Sequence, residues 1–270
     1  MMMASRALPF LLMLGMFSTL PASSVAAEAV DLELILAVDV SGSIDEEEAR
    51  LQRDGYVQAF RHPRIVEAIR HGPRGRIAVA YYEWAGFQHI KIIADWTLIH
   101  DAASAKAFAD TLSWSLPETA RRTAISQAID YAVPYFDKNQ YHGTRRVIDI
   151  SGDGPNNWGR RVTEARDAAV AAGIIINGLP IINDRPSFYG SRPMPNLDLY
   201  YRNCVIGGHG AFIVVANTFK DFAAAILRKL ILEIAGRTPP RATPRFIPAA
   251  ERIAPRCDVG EMRMMDMEEN

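Results

Sequence analysis

Five oxygen-bearing side chains stand at three separated points of the chain. Asp39, Ser41 and Ser43 share the run Asp39-Val40-Ser41-Gly42-Ser43, Thr123 stands alone, and Asp153 lies in Ser151-Gly152-Asp153-Gly154. Two carboxylates and three hydroxyls form a hard donor set. Such a set suits Mg²⁺ or Ca²⁺ better than zinc or copper, which favour nitrogen and sulfur. A tight Asp-x-Ser-x-Ser loop turns alternate side chains toward one point, and Gly42 lets the backbone bend there. Each residue taken alone also has a local reading, because Asp, Ser and Thr cap helix N-termini for structural reasons.

These residues need a frame, and the hydrophobic pattern supplies one. Leu34–Val38 is an apolar run that ends at Asp39. A helix follows, with Asp45 or Ser43 as N-cap and an acidic residue three positions on, and it stops at His62-Pro63. Ile65–Ile69 reads as a short helix, Ile77–Tyr82 as a strand, and His89–Ala94 as its antiparallel partner, since a link that short cannot make a parallel return. Helices over 104–113 and 123–136 precede a strand at Val147–Ile150, which halts at the Asp153 segment. A helix at 162–172, a strand at 174–179, a long loop over 184–210 and a strand at 211–216 follow. The last helix runs from Phe219 to Ile234, with Lys220, Asp221, Arg228, Lys229 and Glu233 on its polar side. Strands alternating with helices predict an α/β fold: a doubly wound, mostly parallel six-stranded sheet with one antiparallel edge strand and helices on both faces. In such sheets the site lies at the carboxyl ends of the strands, where Asp39 and Asp153 fall. Asp149 is out of place inside an apolar strand: it either pairs with Arg145 or Arg146 or sits strained near the site. Tyr81, Tyr82 and Trp84 read as core residues.

Composition narrows the function classes. The 270 residues carry 30 Lys+Arg against 31 Asp+Glu, a formal net charge of −1, so no global field draws nucleic acid or anionic lipid. The N-terminus has the layout of a secretory signal peptide over 1–27: Arg6, an apolar run from Ala7 to Phe17, Pro21, and small residues up to Ala27. The apolar run is shorter than the roughly 20 residues that span a bilayer. The expectation is a periplasmic or secreted domain over 28–236, with no stable membrane insertion of the mature chain. A Pro/Arg-rich tail over 237–270 reads as extended. In an oxidising compartment the two cysteines, Cys204 and Cys257, are expected to pair and tether that tail.

Asp39-Val40-Ser41-Gly42-Ser43 resembles the first motif of the von Willebrand factor A (vWA) domain. Thr123 and Asp153 resemble the second and third motifs of that family's metal-ion-dependent adhesion site. The segments Tyr82–Gly86 and Ser151–Asn157 resemble a bacterial exported branch of the family whose function is unknown. The resemblance implies a vWA/Rossmann-like fold and a divalent cation, Mg²⁺ first, with Ca²⁺ and Mn²⁺ as further candidates. It also implies a protein partner that offers an acidic side chain to the metal. Two departures stand out: Gly152 replaces the Thr or Ser usual before Asp-Gly, and Arg121 replaces the usual Gly two before the Thr.

Two other readings compete. Ser41 or Ser43 with Asp153 and His209 follows the serine–acid–histidine chain order of α/β hydrolases, but neither serine lies in the Gly-x-Ser-x-Gly elbow that exposes a nucleophile. No convincing catalytic constellation results, so an enzyme is not expected. A metal-independent interaction scaffold is the other alternative. Arg185, Tyr189, Arg192, Tyr200 and Tyr201 in the long loop are candidate partner-binding residues, since aromatic and arginine side chains dominate recognition surfaces.

Overall fold

The computed structural model describes residues 27–114, 118–182, 193–218, 221–239 and 253–268. Its centre is β2 (Leu32–Asp39), buried at every position. Both faces of this strand are covered, so it reads as an unbroken apolar run rather than an alternating one. β2 pairs in parallel with β3 (Ile77–Trp84) on one side and with β6 (Arg146–Gly152) on the other. β4 (Ile90–Ile99) runs antiparallel along β3, and β7 (Ile175–Pro180) runs parallel to β6. The order is β4-β3-β2-β6-β7.

The sheet therefore has five regular strands, one fewer than the pattern predicts. The expected strand at 211–216 touches β7 only through single parallel bridges, Gly178 with Ile213 and Ile181 with Ala216. Two short strands, β1 (Glu28–Val30) and β5 (Tyr141–Gly143), form a separate parallel pair.

Side chains alternate along β2 into two apolar layers. Leu32, Leu34, Leu36 and Val38 pack in a cluster with α1 (Glu46–Arg61), α2 (Pro63–Arg70), α3 (Ala102–Ser113) and α7 (Phe222–Ile234). Ile35 and Ala37 pack in the opposite cluster with α4 (Ile125–Tyr135) and α5 (Val162–Ala171). Tyr81 joins the first layer, and Tyr82 and Trp84 the second. Asp45 caps α1 in a reciprocal capping box with Glu48. Pro63 opens α2 at a position whose N–H would be unpaired in any case.

Three sequence expectations change here. The long loop contains α6 (Leu197–Tyr200) and a π-turn over Tyr201–Val205. The tail is not wholly extended, because Val259–Glu268 forms α8. The third change concerns α7, whose Lys229 and Glu233 were expected on its polar side. Both are buried, and Lys229 Nζ lies 2.5 Å from Asp149 Oδ1 and 2.5 Å from Glu233 Oε1. Asp149 is thus paired by Lys229 from across the sheet. Arg146 instead pairs with Glu33 and Asp137, and Arg145 donates to the last carbonyls of α7 at Glu233 and Ile234. Burial, then the charge of Glu233, pushes the Asp149 carboxyl up to about 7.

The structure joins Cys204, on the π-turn, to Cys257, just before α8, in a disulfide that closes 53 residues of sequence separation. On the chain-entropy model a loop of that size is worth about 4 kcal/mol. Among the described residues no helix is long and apolar enough to cross a membrane. Residues 1–26 of the expected leader over 1–27 lie outside the described residues, as do Arg185, Tyr189 and Arg192.

Candidate metal centre

Asp39 ends the central strand, and the chain turns sharply beyond it. Ser41 N–H donates to Asp39 Oδ1 at 2.7 Å, and Ile44 N–H donates to the Ser41 carbonyl at 2.9 Å. This Asx-type turn lifts Ser41 and Ser43 to the same side. α1 fixes the strand end from below, where Gln52 Nε2 donates to the Asp39 carbonyl at 3.3 Å and Arg53 pairs with buried Glu83.

The five sequence-predicted oxygens come together from three segments. Thr123 Oγ1 donates to Ser41 Oγ at 3.1 Å, Ser41 Oγ and Ser43 Oγ lie 3.3 Å apart, and Ser43 Oγ donates to Asp153 Oδ1 at 2.5 Å. Asp39 and Ser41 are fully buried, Thr123 and Asp153 nearly so, and Ser43 only half-buried. The cluster therefore has a closed floor and an open side at Ser43.

The capping alternative fails for both aspartates. Asp39 turns its Oδ1 to its own loop. Asp153 accepts from Ser43, while the amide at the start of α4 is satisfied elsewhere, Ser126 N–H donating to Asn156 Oδ1 at 2.9 Å.

Charge explains what such a cluster needs. Asp39 Oδ2 is buried without a hydrogen-bond partner. Burial first, and the nearby Asp153 charge second, push the Asp39 carboxyl well above its usual range. Two carboxylates crowded into one low-dielectric site repel each other, and a divalent cation relieves both. The donor set fits such an ion, being all oxygen with two formal negative charges. Among the described residues no group of three or more His, Cys, Asp and Glu gathers as a metal cluster.

Two asparagines that the sequence reading left without a role hold the site together. Asn157 Oδ1 accepts from Thr123 N–H at 2.8 Å, and Asn157 N–H donates back to the Thr123 carbonyl at 2.8 Å. α4 has no side-chain cap of its own at Ala124, so Asn156 caps it from the neighbouring loop. The Thr123 and Asp153 segments thus move as one unit. The legible signal was two consecutive amides directly after Asp-Gly-Pro, since amide side chains favour helix starts.

The departure at Arg121 also resolves. Its neighbour Arg122 adopts the left-handed conformation, with φ 69°, and Gly86 N–H donates to both the Arg121 and Arg122 carbonyls. A Cβ on Gly86 would stand 2.3 Å from Arg122 Cβ, so the glycine that this loop needs lies across from it.

The partner-binding expectation is corrected at two positions. Tyr200 and Tyr201 are 0% exposed, because the end of α6 and the start of the π-turn pack them into the second apolar layer. Exposed aromatic surface instead stands beside Thr123. Phe87, 56% exposed, contacts Trp158 with ring centroids 4.6 Å apart, and the Arg122 guanidinium lies over the Trp158 ring. Phe87 and Gln88 form the tip of the β3–β4 hairpin, both left-handed at φ 53° and 60°, and His89 N–H donates to the Gly86 carbonyl. That geometry is a type I′ turn, which usually takes Asn or Gly.

The hydrolase constellation does not assemble. His209 lies beside Gly207, which pairs with Ile176 near the start of β7, whereas Gly152 pairs with Pro180 at its end. A strand of that length separates the two by roughly 13 Å. His209 is thus at the wrong end of the sheet to meet Ser41, Ser43 or Asp153.

Comparison with known proteins agrees with this fold. Among solved structures, proximal thread matrix protein 1 from the mussel byssus superposes with a TM-score of 0.54 at 14% identity, over 77% of this chain and 47% of that one. A second structure of the mussel protein, described as having a zinc-occupied MIDAS motif, gives 0.52 at 14% identity over 77% and 49%. A von Willebrand factor type A structure from Catenulispora acidiphila gives 0.51 at 11% identity over 77% and 43%. The chain thus spans about half the length of these structures. No curated protein matches it. Residues 29–238 match the family described as "Protein of unknown function (DUF1194)". The chain belongs to that family and has a vWA-like fold.

Proposed function

We propose that this chain is an exported binding module that holds a protein partner through a divalent cation at Asp39, Ser41, Ser43, Thr123 and Asp153. One observation carries the reading: five oxygen side chains from three distant segments meet in one hydrogen-bonded cluster around a buried carboxylate oxygen that has no partner. The hydroxyls of Ser41, Ser43 and Thr123 and the carboxylates of Asp39 and Asp153 would hold the ion. Hard oxygen donors favour Mg²⁺, with Ca²⁺ and Mn²⁺ as alternatives. A bound cation would supply an electrophilic bridge to an acidic side chain of the partner.

The surroundings support a docking role. Phe87 keeps a conformation that costs a bulky residue about 1–2 kcal/mol, at the tip of an exposed turn beside the site. Strained backbone of this kind clusters at ligand clamps and binding sites. The disulfide fits the periplasmic or extracellular compartment expected of a cleaved leader. The vWA-like unit is assigned to 28–236.

Isothermal titration of the chain with Mg²⁺, Ca²⁺ and Mn²⁺ tests the reading. Binding that disappears in Asp39→Ala with Ser41→Ala supports it. No binding in the wild type overturns it, and leaves a metal-independent scaffold if a partner is still captured from the native envelope in EDTA.

A further inference from the structure

Two glycines on adjacent strands make room for one tyrosine. A Cβ on Gly178 of β7 would stand 2.8 Å from Tyr201 Cδ1. A Cβ on Gly152, at the end of β6, would stand 2.8 Å from Tyr201 Oη and 2.7 Å from Asp39 Oδ2. Neither glycine adopts the left-handed conformation, so what both supply is space. The ring of Tyr201 thus lies in a slot across β6 and β7, and its hydroxyl arrives beside the free edge of the Asp39 carboxylate.

Both of those atoms are fully buried, and neither has a hydrogen-bond partner. One is a donor and the other an acceptor. Both lie close to the single point that a Cβ on Gly152 would fill, within the span that one bridging water covers. Buried polar atoms left unpaired are costly, and two complementary ones side by side remove each other's cost when bridged. Gly152 is also the position where the resembling motif carries a hydroxyl residue directly before Asp-Gly, so the hydroxyl missing from β6 is replaced by one reaching in from the π-turn.

We propose that Tyr201 is a positioning residue of the metal centre, its hydroxyl holding Asp39 Oδ2 through one bridging water so that the carboxylate presents a fixed edge to a divalent cation. This rests on the reading of the Asp39 cluster as a cation site. Outer-shell partners of metal ligands typically contribute 10–100-fold to affinity.

The test compares wild type with Tyr201→Phe, which keeps the ring in its slot and removes only the hydroxyl. Titration of the disulfide-intact chain with Mn²⁺ should show 10–100-fold weaker binding in the variant, with the chain still folded in EDTA and its melting temperature modestly lowered by the stranded Asp39 Oδ2. Affinity within about twofold of wild type overturns the proposal. A second measurement needs no metal: in ¹³C-tyrosine-labelled chain in EDTA, the resonance lost in Tyr201→Phe should shift on Asp39→Asn. An unmoved resonance overturns the proposal. If wild type binds no cation, the metal reading falls, and the resonance still decides whether the phenol and the carboxylate are in contact.

Discussion

Replacing Asp39 with Asn should stabilise the metal-free protein and abolish its stabilisation by cations, an inversion that a purely structural aspartate would not give. The substituted amide keeps an oxygen to accept from Ser41 N–H, the 2.7 Å bond that shapes the loop, and puts a neutral NH2 donor in place of the anionic Oδ2. In the wild type that charge is fully buried, its Oδ2 is unpaired and Asp153 is nearby. Removing a buried charge relieves its desolvation and its repulsion with Asp153, and a gain of about 1–3 kcal/mol is expected for Asp39→Asn in EDTA at pH 8. The pH dependence has a definite sign. Burial and Asp153 raise the folded carboxyl above its unfolded value, so between the two values the folded chain keeps a proton that the unfolded chain has lost. Metal-free wild type therefore loses stability as pH rises through that window, by up to about 1.4 kcal/mol per pH unit for one proton. Asp149 adds a slope of the same sign to both proteins, so the difference between them isolates Asp39. A cation at a hundredfold excess over its Kd adds about 2.7 kcal/mol to the wild type and little to the variant. Urea unfolding at pH 5 and pH 8, in EDTA and in Mg²⁺, reads all four conditions. A variant that is less stable in EDTA, or that gains as much from Mg²⁺ as the wild type does, refutes the argument.

Three further outcomes are expected. Lys229→Met strands Asp149 and Glu233 without their cation and should cost about 3–5 kcal/mol at pH 8, less at pH 6, where Asp149 takes up a proton; a loss under about 1 kcal/mol in urea unfolding at pH 8 would contradict it. Cys257→Ser should lower stability by about 2–4 kcal/mol and speed amide exchange across Val259–Glu268; unchanged exchange would mean that α8 docks without its clasp. Phe87→Asn puts a residue at ease with φ 53° at the hairpin tip, so the melting temperature should hold or rise while capture of partner from envelope extract falls; a clear drop in melting temperature would show that Phe87 serves the fold.

The sheet was legible because its strands are buried on both faces. A strand such as Leu34–Val38 leaves no polar alternation to misread, and Pro63 and Gly236 punctuate the helices that flank it. The misreading of α7 has one cause: a charged residue falls on the solvent side by local pattern alone. Lys229 and Glu233 fall on the polar stripe of α7 by period alone. They are buried because Asp149, eighty residues earlier in the chain, puts a carboxylate under that helix and Asn177 donates to Glu233 Oε1. The sixth strand failed for a different reason: Ala211–Ala216 has a strand-like composition but meets β7 at isolated bridges rather than along a continuous ladder.

The candidate site divides along the same line. Asp39, Ser41 and Ser43 were readable as a unit because five residues span them and their geometry is local. What joins them to Thr123 and Asp153 is long-range and leaves only faint sequence signals. Asn156 and Asn157 tie the start of α4 to the Asp153 loop, and Gly86 accommodates the strained Arg122. The tail enters the same assembly. Asn156 Nδ2 donates to Glu261 Oε1 at 2.8 Å, and a Cβ on Gly260 would collide with the Asn156 carbonyl, so α8 lies directly on the loop that holds Thr123. The disulfide that anchors α8 starts from Cys204, three residues after Tyr201 on the same π-turn. One covalent link therefore fixes two supports of the site from opposite sides: the helix behind Asn156 and the turn that carries the Tyr201 hydroxyl. Reducing it should loosen the Thr123 and Asp39 ends of the cluster together, so cation affinity should fall in Cys257→Ser even though neither cysteine lies among the five oxygen-bearing residues; affinity equal to wild type would show that the two supports stand without the link.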